Sequence, residues 1–221
     1  MPHNRFSHID TWIFDLDNTL YPDSGMEDII RGTFYEYVKN ELGIERHEAE
    51  VMTQTYQEKY GHGVQGWWEE HGLKRAGWDE FFHNRVDYSF LPQCVITQEK
   101  LSLLPGRKVI FTNAPKSHAD KVMDHLKITH HFDHLSYACE RGERFKPDQD
   151  IYEELVDTLG ADPEKCAMFE DQPLNLLPAH NLGMTTVLVE HDPVEEEYVH
   201  HYFKSLKDWL EEIPDINSKA G

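Results

Sequence analysis

The sequence predicts an α/β fold: an open-sheet core of buried parallel strands, split in sequence and carrying an inserted α-helical domain. Three observations carry this. Short apolar runs, each ending in polar residues, alternate with helical patterns in two parts of the chain. A block of roughly 80 residues that reads as helix after helix lies between the first run and the second, too long for a crossover. Carboxylates and a hydroxyl follow the apolar runs at the ends where an open α/β sheet binds its ligands, and a lysine stands near a helix start between them.

The elements follow in order. TWIF at 11–14 is a short buried strand ending in Asp15-Leu16-Asp17-Asn18-Thr19. Residues 27–42, 48–60, 64–70, 78–86 and 97–103 read as helices, punctuated by Gly61, Gly63 and Gly72. KVIF at 108–111 is the second strand, ending in Thr112-Asn113. A helix over 117–126 places Val122, Met123 and Leu126 on one face. A helix over 148–159 spaces Ile151, Leu155 and Leu159 by fours and closes on Gly160. Ala167 to Phe169 is a third strand ending in Glu170-Asp171. Asn181-Leu182-Gly183 reads as a helix C-cap before a fourth strand, 185–189. The expected domains are a core of 1–21 with 101–221 and a helical insert of 22–100.

Composition sets limits on function. The 221 residues hold 21 Lys plus Arg against 41 Asp plus Glu, a formal net charge of −20. Nucleic acids and anionic membranes are bound through clustered Lys and Arg, so both are excluded as expected partners. With 39% hydrophobic and 12% aromatic residues the chain is too apolar for a disordered acidic segment. No apolar run approaches the ~20 residues of a membrane span. The first ten residues lack the apolar stretch of a signal peptide, so the expected location is cytoplasmic. Cys94, Cys139 and Cys166 form no CxxC pair and read as free thiols. His130, His131 and His134, and His200 with His201, cluster without zinc-finger spacing and read as solvated or structural.

Four groups of residues bear chemistry. Asp15 and Asp17, two apart at a strand end, point the same way if the strand continues. Like charges so close require a shared cation or a proton, and Mg²⁺ takes carboxylate oxygens; the other reading is a charged loop with an Asp N-cap. Thr112-Asn113 offers a hydroxyl and backbone N–H groups to an anion, or forms an ordinary turn. Lys146 precedes Pro147, read as the first position of a helix. A cation is electrostatically disfavoured at a helix start, so a phosphate partner is one reason for it and solvation the other. Glu170 and Asp171 add carboxylates, with Asn175 four residues beyond Asp171.

With these residues in place, the chain resembles the haloacid-dehalogenase superfamily of phosphohydrolases. Its four motifs match Asp15-Leu16-Asp17-Asn18-Thr19, Thr112-Asn113, Lys146-Pro147 and Glu170-Asp171, and the helical insert stands where the family places its C1 cap. Within it the chain resembles the pyrimidine 5′-nucleotidase-like branch, on FDLDNTLYP at 14–22, LPGRKVIFTNAPKSHA at 104–119, LGMTTVLV at 182–189, and Asn175-Leu176 after the acidic pair. The bulkier HGVQGWW after Tyr60-Gly61 departs from that branch's cap.

The resemblance implies a three-layer, Rossmann-like α/β core with a parallel sheet and an inserted α-helical bundle as cap, and a Mg²⁺-dependent hydrolysis of a small phosphomonoester, a nucleoside 5′-monophosphate first. Asp15 is then the nucleophile and Asp17 the acid and base. Asp15, the Asp17 carbonyl and Asp171 hold the metal, with Glu170 secondary. Thr112 and the Asn113 N–H bind phosphoryl oxygens, and Lys146 neutralises charge between Asp15 and phosphate, with Arg141 and Arg144 available to add to it. An acid at Asp17 separates phosphatases from the metal-free dehalogenase branch. Of the insert's Trp67, Trp68, Trp78, Phe81 and Phe82, each either fills the insert's own core or stacks on a base. The alternatives are a sugar-phosphate or phosphoglycolate phosphatase, a phosphomutase, or a catalytically idle binding protein.

Overall fold

The computed structural model describes residues 5–83, 85–92, 95–138 and 144–212. The chain divides into two compact units, Met1–Ser24 with Ser89–Gly221, and Gly25–Tyr88.

The first unit is built on six parallel strands: β1 (Thr11–Phe14), β2 (Arg107–Phe111), β3 (His134–Ser136), β4 (Cys166–Glu170), β5 (Thr185–Leu188) and β6 (His201–Tyr202). Their order is β3-β2-β1-β4-β5-β6. The chain lays β2 and β3 on one side of β1, then returns to lay β4 on the other. The carboxyl ends of β1 and β4 therefore flank a topological switch point, where open α/β sheets leave a crevice. Phe14 is in register with both Ile110 and Phe169, which puts Asp15, Phe111 and Glu170 level with one another.

The strands alternate their side chains between two apolar faces, as the pleat requires. Ile13, Val109, Phe111 and Met168 face one layer, where Ile151, Tyr152 and Leu155 of α7 (Gln149–Leu159) and Ala179 of α8 (Leu177–Asn181) close the core. Trp12, Phe14 and Phe169 face the other, where Trp209 of α9 (Leu206–Glu212) sets its ring 5.4, 6.5 and 4.3 Å from theirs. Burying each such side chain contributes about 1.5–3 kcal/mol. Strands this short stay in place because both faces are covered. Also in this unit are α5 (Val95–Leu101), packed on α9, and α6 (Lys116–Leu126).

The second unit is α1 (Met26–Leu42), α2 (Arg46–Tyr60), α3 (Gln65–His71) and α4 (Arg75–His83). Gly61 and Gly72 end α2 and α3 at φ 77° and 68°, a left-handed conformation that costs a Cβ-bearing residue more. Trp67, Trp78 and Phe82 are buried. Phe34 takes Trp68 edge-on at 5.8 Å and Trp78 at 5.2 Å, and Phe81 lies 5.5 Å from Tyr37. The insert's aromatics thus pack within their own unit.

The structure departs from the sequence reading in particular places. β3 and β6 are absent from that reading. His134-Leu135-Ser136 and the two-residue His201-Tyr202 are edge strands, too short and polar to show an apolar run. The helical unit ends at Tyr88, not at 100, because α5 packs against α9 of the sheet unit. Pro147 is not the first residue of α7. It stands in a turn, joined to Lys146 by a cis peptide, and Asp148 caps the helix by accepting from the Asp150 N–H at 3.3 Å. Among the described residues no helix is long and apolar enough to cross a membrane.

Candidate active site

The site lies at the carboxyl ends of β1, β2 and β4. Asp15 extends the β1–β4 ladder by one residue, its N–H donating to the Phe169 carbonyl at 2.9 Å. The strand then stops. The N–H groups of Thr19 and Leu20 both return to the Leu16 carbonyl, and Asn18 takes φ 58°. The expectation that a continuing strand aims Asp15 and Asp17 alike is therefore corrected: a tight turn separates them. Asp15 is buried, whereas the Asp17 side chain keeps 27% exposure.

Lys146 joins the strand ends. Its buried ammonium donates to Asp15 Oδ1 at 2.6 Å and to Glu170 Oε1 at 3.2 Å. Its backbone is fixed by Asn113, whose Oδ1 accepts from the Lys146 N–H at 2.7 Å and whose Nδ2 donates to the Lys146 carbonyl at 3.1 Å. Asn113, next to Thr112 at the end of β2, thereby sets where the lysine starts. Thr112 is buried, and its Oγ1 accepts from the Ala114 N–H at 3.0 Å, the ordinary turn that is the second of the two sequence readings of this pair. The Asn175 amide donates to Glu170 Oε1, and the Tyr152 hydroxyl holds the Asn175 carbonyl at 2.6 Å. Asp171 accepts from Gln172 Nε2 at 2.8 Å.

Charge is the central feature. Ligand oxygens of Asp15, Glu170 and Asp171, all buried, lie within 4.8 Å of one another. At an effective dielectric near 20, each such like-charge pair costs about 3–4 kcal/mol, and Lys146 is one positive charge against three. Burial raises Asp15, though Lys146 pulls against it. Burial and the neighbouring Asp15 push Glu170 well above the carboxylate range and Asp171 to about 7. Burial alone would lower Lys146, but Asp15 and Glu170 outweigh it and hold it charged. Glu170 Oε2 is buried with no hydrogen-bond partner. A hard divalent cation fits this donor set: it takes carboxylate oxygens, supplies the missing charge and satisfies the orphaned oxygen. Among the described residues this is the one such cluster of three.

A pH dependence follows. In the metal-free protein, folded Asp171 binds a proton that the unfolded chain releases between the ordinary carboxylate range, near 4, and about 7. Stability therefore falls as pH rises across that window. A Mg²⁺ ion held by these carboxylates would compete with the same proton, so its dissociation constant should fall as pH rises toward 7. Urea unfolding in chelator and Mg²⁺ titration at pH 5.5, 6.5 and 7.5 check both. A flat profile would contradict the buried-cluster account.

Asp17 has separate partners. Its Oδ1 is held by His118 Nε2 at 2.8 Å and by the Tyr21 hydroxyl. Partial burial works to raise its carboxyl, but His118 and Tyr21 prevail and hold it low. Neither partner was singled out from sequence. A signal was present: His118 sits four residues before Val122, on the buried face of α6 that also carries Ala119, Met123 and Leu126.

Other expected participants lie elsewhere. Arg144 forks onto Glu154 at 2.7 and 2.5 Å on the surface, while Arg141 falls outside the described residues. His130, exposed, and His131, half-buried, lie in a helical turn before β3, and His180 meets His200 at 2.9 Å. Cys166 is buried, which pushes its thiol up to about 11. Cys94 and Cys139 lie outside the described residues.

A parallel sheet with buried carboxylates and a lysine at its switch point makes this a Rossmann-like α/β protein with a charged site. The chain belongs to the haloacid dehalogenase-like hydrolase family, which it matches over residues 9–183. It is 28% identical to phosphate metabolism protein 8 of Saccharomyces cerevisiae, over 93% of this chain and 71% of that protein. Among solved structures, a HAD phosphatase from Thermococcus onnurineus superposes with a TM-score of 0.64 at 18% identity, covering 92% of this chain and 97% of that one. The L-2-haloacid dehalogenase of Xanthobacter autotrophicus, with chloropropionic acid covalently bound, superposes at 0.55 and 15%, covering 92% and 97%. At such identities these structures share the fold.

Proposed function

We propose that the protein is a Mg²⁺-dependent phosphatase that hydrolyses a small phosphomonoester through an aspartyl-phosphate on Asp15, with nucleoside 5′-monophosphates the leading substrate class. The observation that carries the reading is the Asp15–Lys146–Glu170–Asp171 cluster with a second, separately held carboxylate at Asp17. The fold itself serves a dehalogenase as well as a phosphatase. Asp17 favours the phosphatase, because hydrolysing an ester requires a group that can protonate the leaving oxygen. Likeness to a phosphate metabolism protein supports the same choice, and the resemblance of 14–22, 104–119 and 182–189 to the pyrimidine 5′-nucleotidase-like branch supports the nucleotide. The helical unit is, in this reading, the family's substrate-selecting insert.

Asp15 attacks phosphorus as the ester P–O bond breaks, and Asp17 gives its proton to the departing oxygen. A phosphate dianion arriving near Asp17 opposes its ionised form and so favours uptake of that proton. Asp17 then takes a proton from water, whose oxygen attacks phosphorus and frees Asp15. Lys146 offsets charge on Asp15 as the anion approaches, while Thr112 and the Asn113 N–H receive phosphoryl oxygens. Asp15, Asp171 and the Asp17 carbonyl would hold Mg²⁺, with Glu170 in support. When bound, the ion supplies positive charge to the phosphoryl oxygens and orients them.

Phosphate release from nucleotide, sugar-phosphate, phosphoglycolate and p-nitrophenyl esters, with Mg²⁺ or excess chelator, tests this. The expected result is turnover in Mg²⁺ only, fastest on nucleoside 5′-monophosphates. Full activity in chelator sinks the mechanism, and a sugar phosphate ranking first corrects the substrate. Mg²⁺ binding without turnover on any ester marks an idle binding protein.

A further inference from the structure

We infer that His118 and Tyr21 are positioning residues that grip one oxygen of Asp17 and so present the other for proton transfer. The inference rests on the phosphatase reading and names groups outside its four motifs. Both contacts fall on the same atom, Oδ1, from His118 Nε2 at 2.8 Å and from the Tyr21 hydroxyl. Oδ2 has no hydrogen bond to the protein among the described residues. The side chain retains 27% exposure, so that oxygen is open to a ligand or water. A carboxylate held at one oxygen from two directions cannot turn freely about its Cβ–Cγ bond.

The scaffold around the grip is rigid. His118 is 1% exposed and lies in the first turn of α6, which directly follows the Thr112–Asn113 strand end. Tyr21 is equally buried, four residues beyond Asp17 and just after the Leu16–Leu20 turn. Asp17 is thus tied to β1 through its own turn and to the end of β2 through His118. With Asp17 ionised, Oδ1 can only accept, so His118 Nε2 carries the hydrogen. This division of labour resembles an orienting group acting on an acid–base side chain, here with the carboxylate as the oriented member.

The consequence is selective. A proton delivered to the leaving oxygen matters greatly for an alkyl ester, whose alkoxide is a poor leaving group. It matters little for p-nitrophenyl phosphate, whose phenolate leaves unprotonated. The value kcat/KM covers steps through the first irreversible one, so it contains leaving-group departure. The experiment measures kcat/KM of the full chain in Mg²⁺ on an alkyl monoester and on p-nitrophenyl phosphate. Wild type, His118→Asn, Tyr21→Phe and Asp17→Asn are compared.

For His118→Asn, the alkyl-to-aryl ratio should fall about tenfold or more, with KM for the alkyl ester changing less than about threefold. Tyr21→Phe should shift the ratio in the same direction, and Asp17→Asn should shift it furthest. Tyr21→Phe removes one hydroxyl and keeps the ring, so the question stays answerable if His118→Asn folds poorly. Equal losses on both esters, or none, in a folded Tyr21→Phe and His118→Asn would overturn the inference while leaving the phosphatase reading intact. A wild type inactive with Mg²⁺ on every ester of the nucleotide, sugar-phosphate, phosphoglycolate and p-nitrophenyl panel would overturn the reading itself.

Discussion

Asp15→Asn should abolish turnover, by at least about 10⁴-fold in kcat, and leave the metal-free protein as stable as wild type or slightly more so. The first half follows from losing the only side chain proposed to form the phosphoryl bond. The second follows from the cluster's charge. Replacing Asp15 removes one of three buried carboxylates yet keeps the Lys146–Glu170 contact at 3.2 Å. It also removes a charge that raises both Glu170 and Asp171. Deleting one member of a buried ion pair is ordinarily costly because the partner is stranded. Here the partner retains a second carboxylate, so the cost is offset. Thermal unfolding with chelator and with Mg²⁺ separates the two effects: the variant should match or exceed wild type in chelator and gain less from Mg²⁺. A variant with wild-type kcat would remove Asp15 from the role of nucleophile, and one unfolded in chelator would contradict the charge account.

The net charge of −20 first served to exclude nucleic acid and anionic membranes. The structure concentrates part of it. Three carboxylates are buried at the switch point, where they are most costly and a cation is most useful. On the phosphatase reading an anionic substrate would bind beside these carboxylates, and the cation would be a condition of binding rather than an accessory.

Legibility followed local pattern. Thr11–Phe14 and 167–169 announced themselves as strands because both faces are buried and every residue must be apolar or β-branched. β3 and β6 gave no such signal, since His134 and His201 lie at the sheet's edges. Asp15, Glu170 and Lys146 were legible because each follows a readable strand or precedes a readable helix. The Asp17 grip was not, because its main partner lies 101 residues away and a histidine on an otherwise apolar helix face looks like a gap in the pattern. Asn113 was legible as a residue but not in its side chain's use: no spacing rule links it to the backbone of residue 146. The Pro147 reading failed on a local competition, in which Asp148 supplied the cap and the helix starts at Gln149, two residues further on.

Lys146→Ala should be the most damaging change to stability, about 3–5 kcal/mol in chelator near pH 8. The ammonium is 1% exposed and is the cation that contacts the cluster; without it Asp15, Glu170 and Asp171 face one another within 4.8 Å. Part of the loss is packing, since the lysine also lies over the Phe111 ring at 5.6 Å. Lys146→Met keeps most of the volume and isolates the charge. In both variants the carboxylates, already raised in wild type, should be raised further. The folded state then binds more protons than the unfolded chain to a higher pH, so stability should fall more steeply as pH rises and recover on acidification. Mg²⁺ should restore part of it near pH 8, because the ion and the lysine answer the same excess of negative charge. Urea unfolding at pH 5.5 and 8, each in chelator and in Mg²⁺, reads all of this. If Lys146→Met unfolds at the wild-type urea midpoint in chelator at pH 8, the lysine does not neutralise the cluster, and the requirement for a cation loses its physical basis.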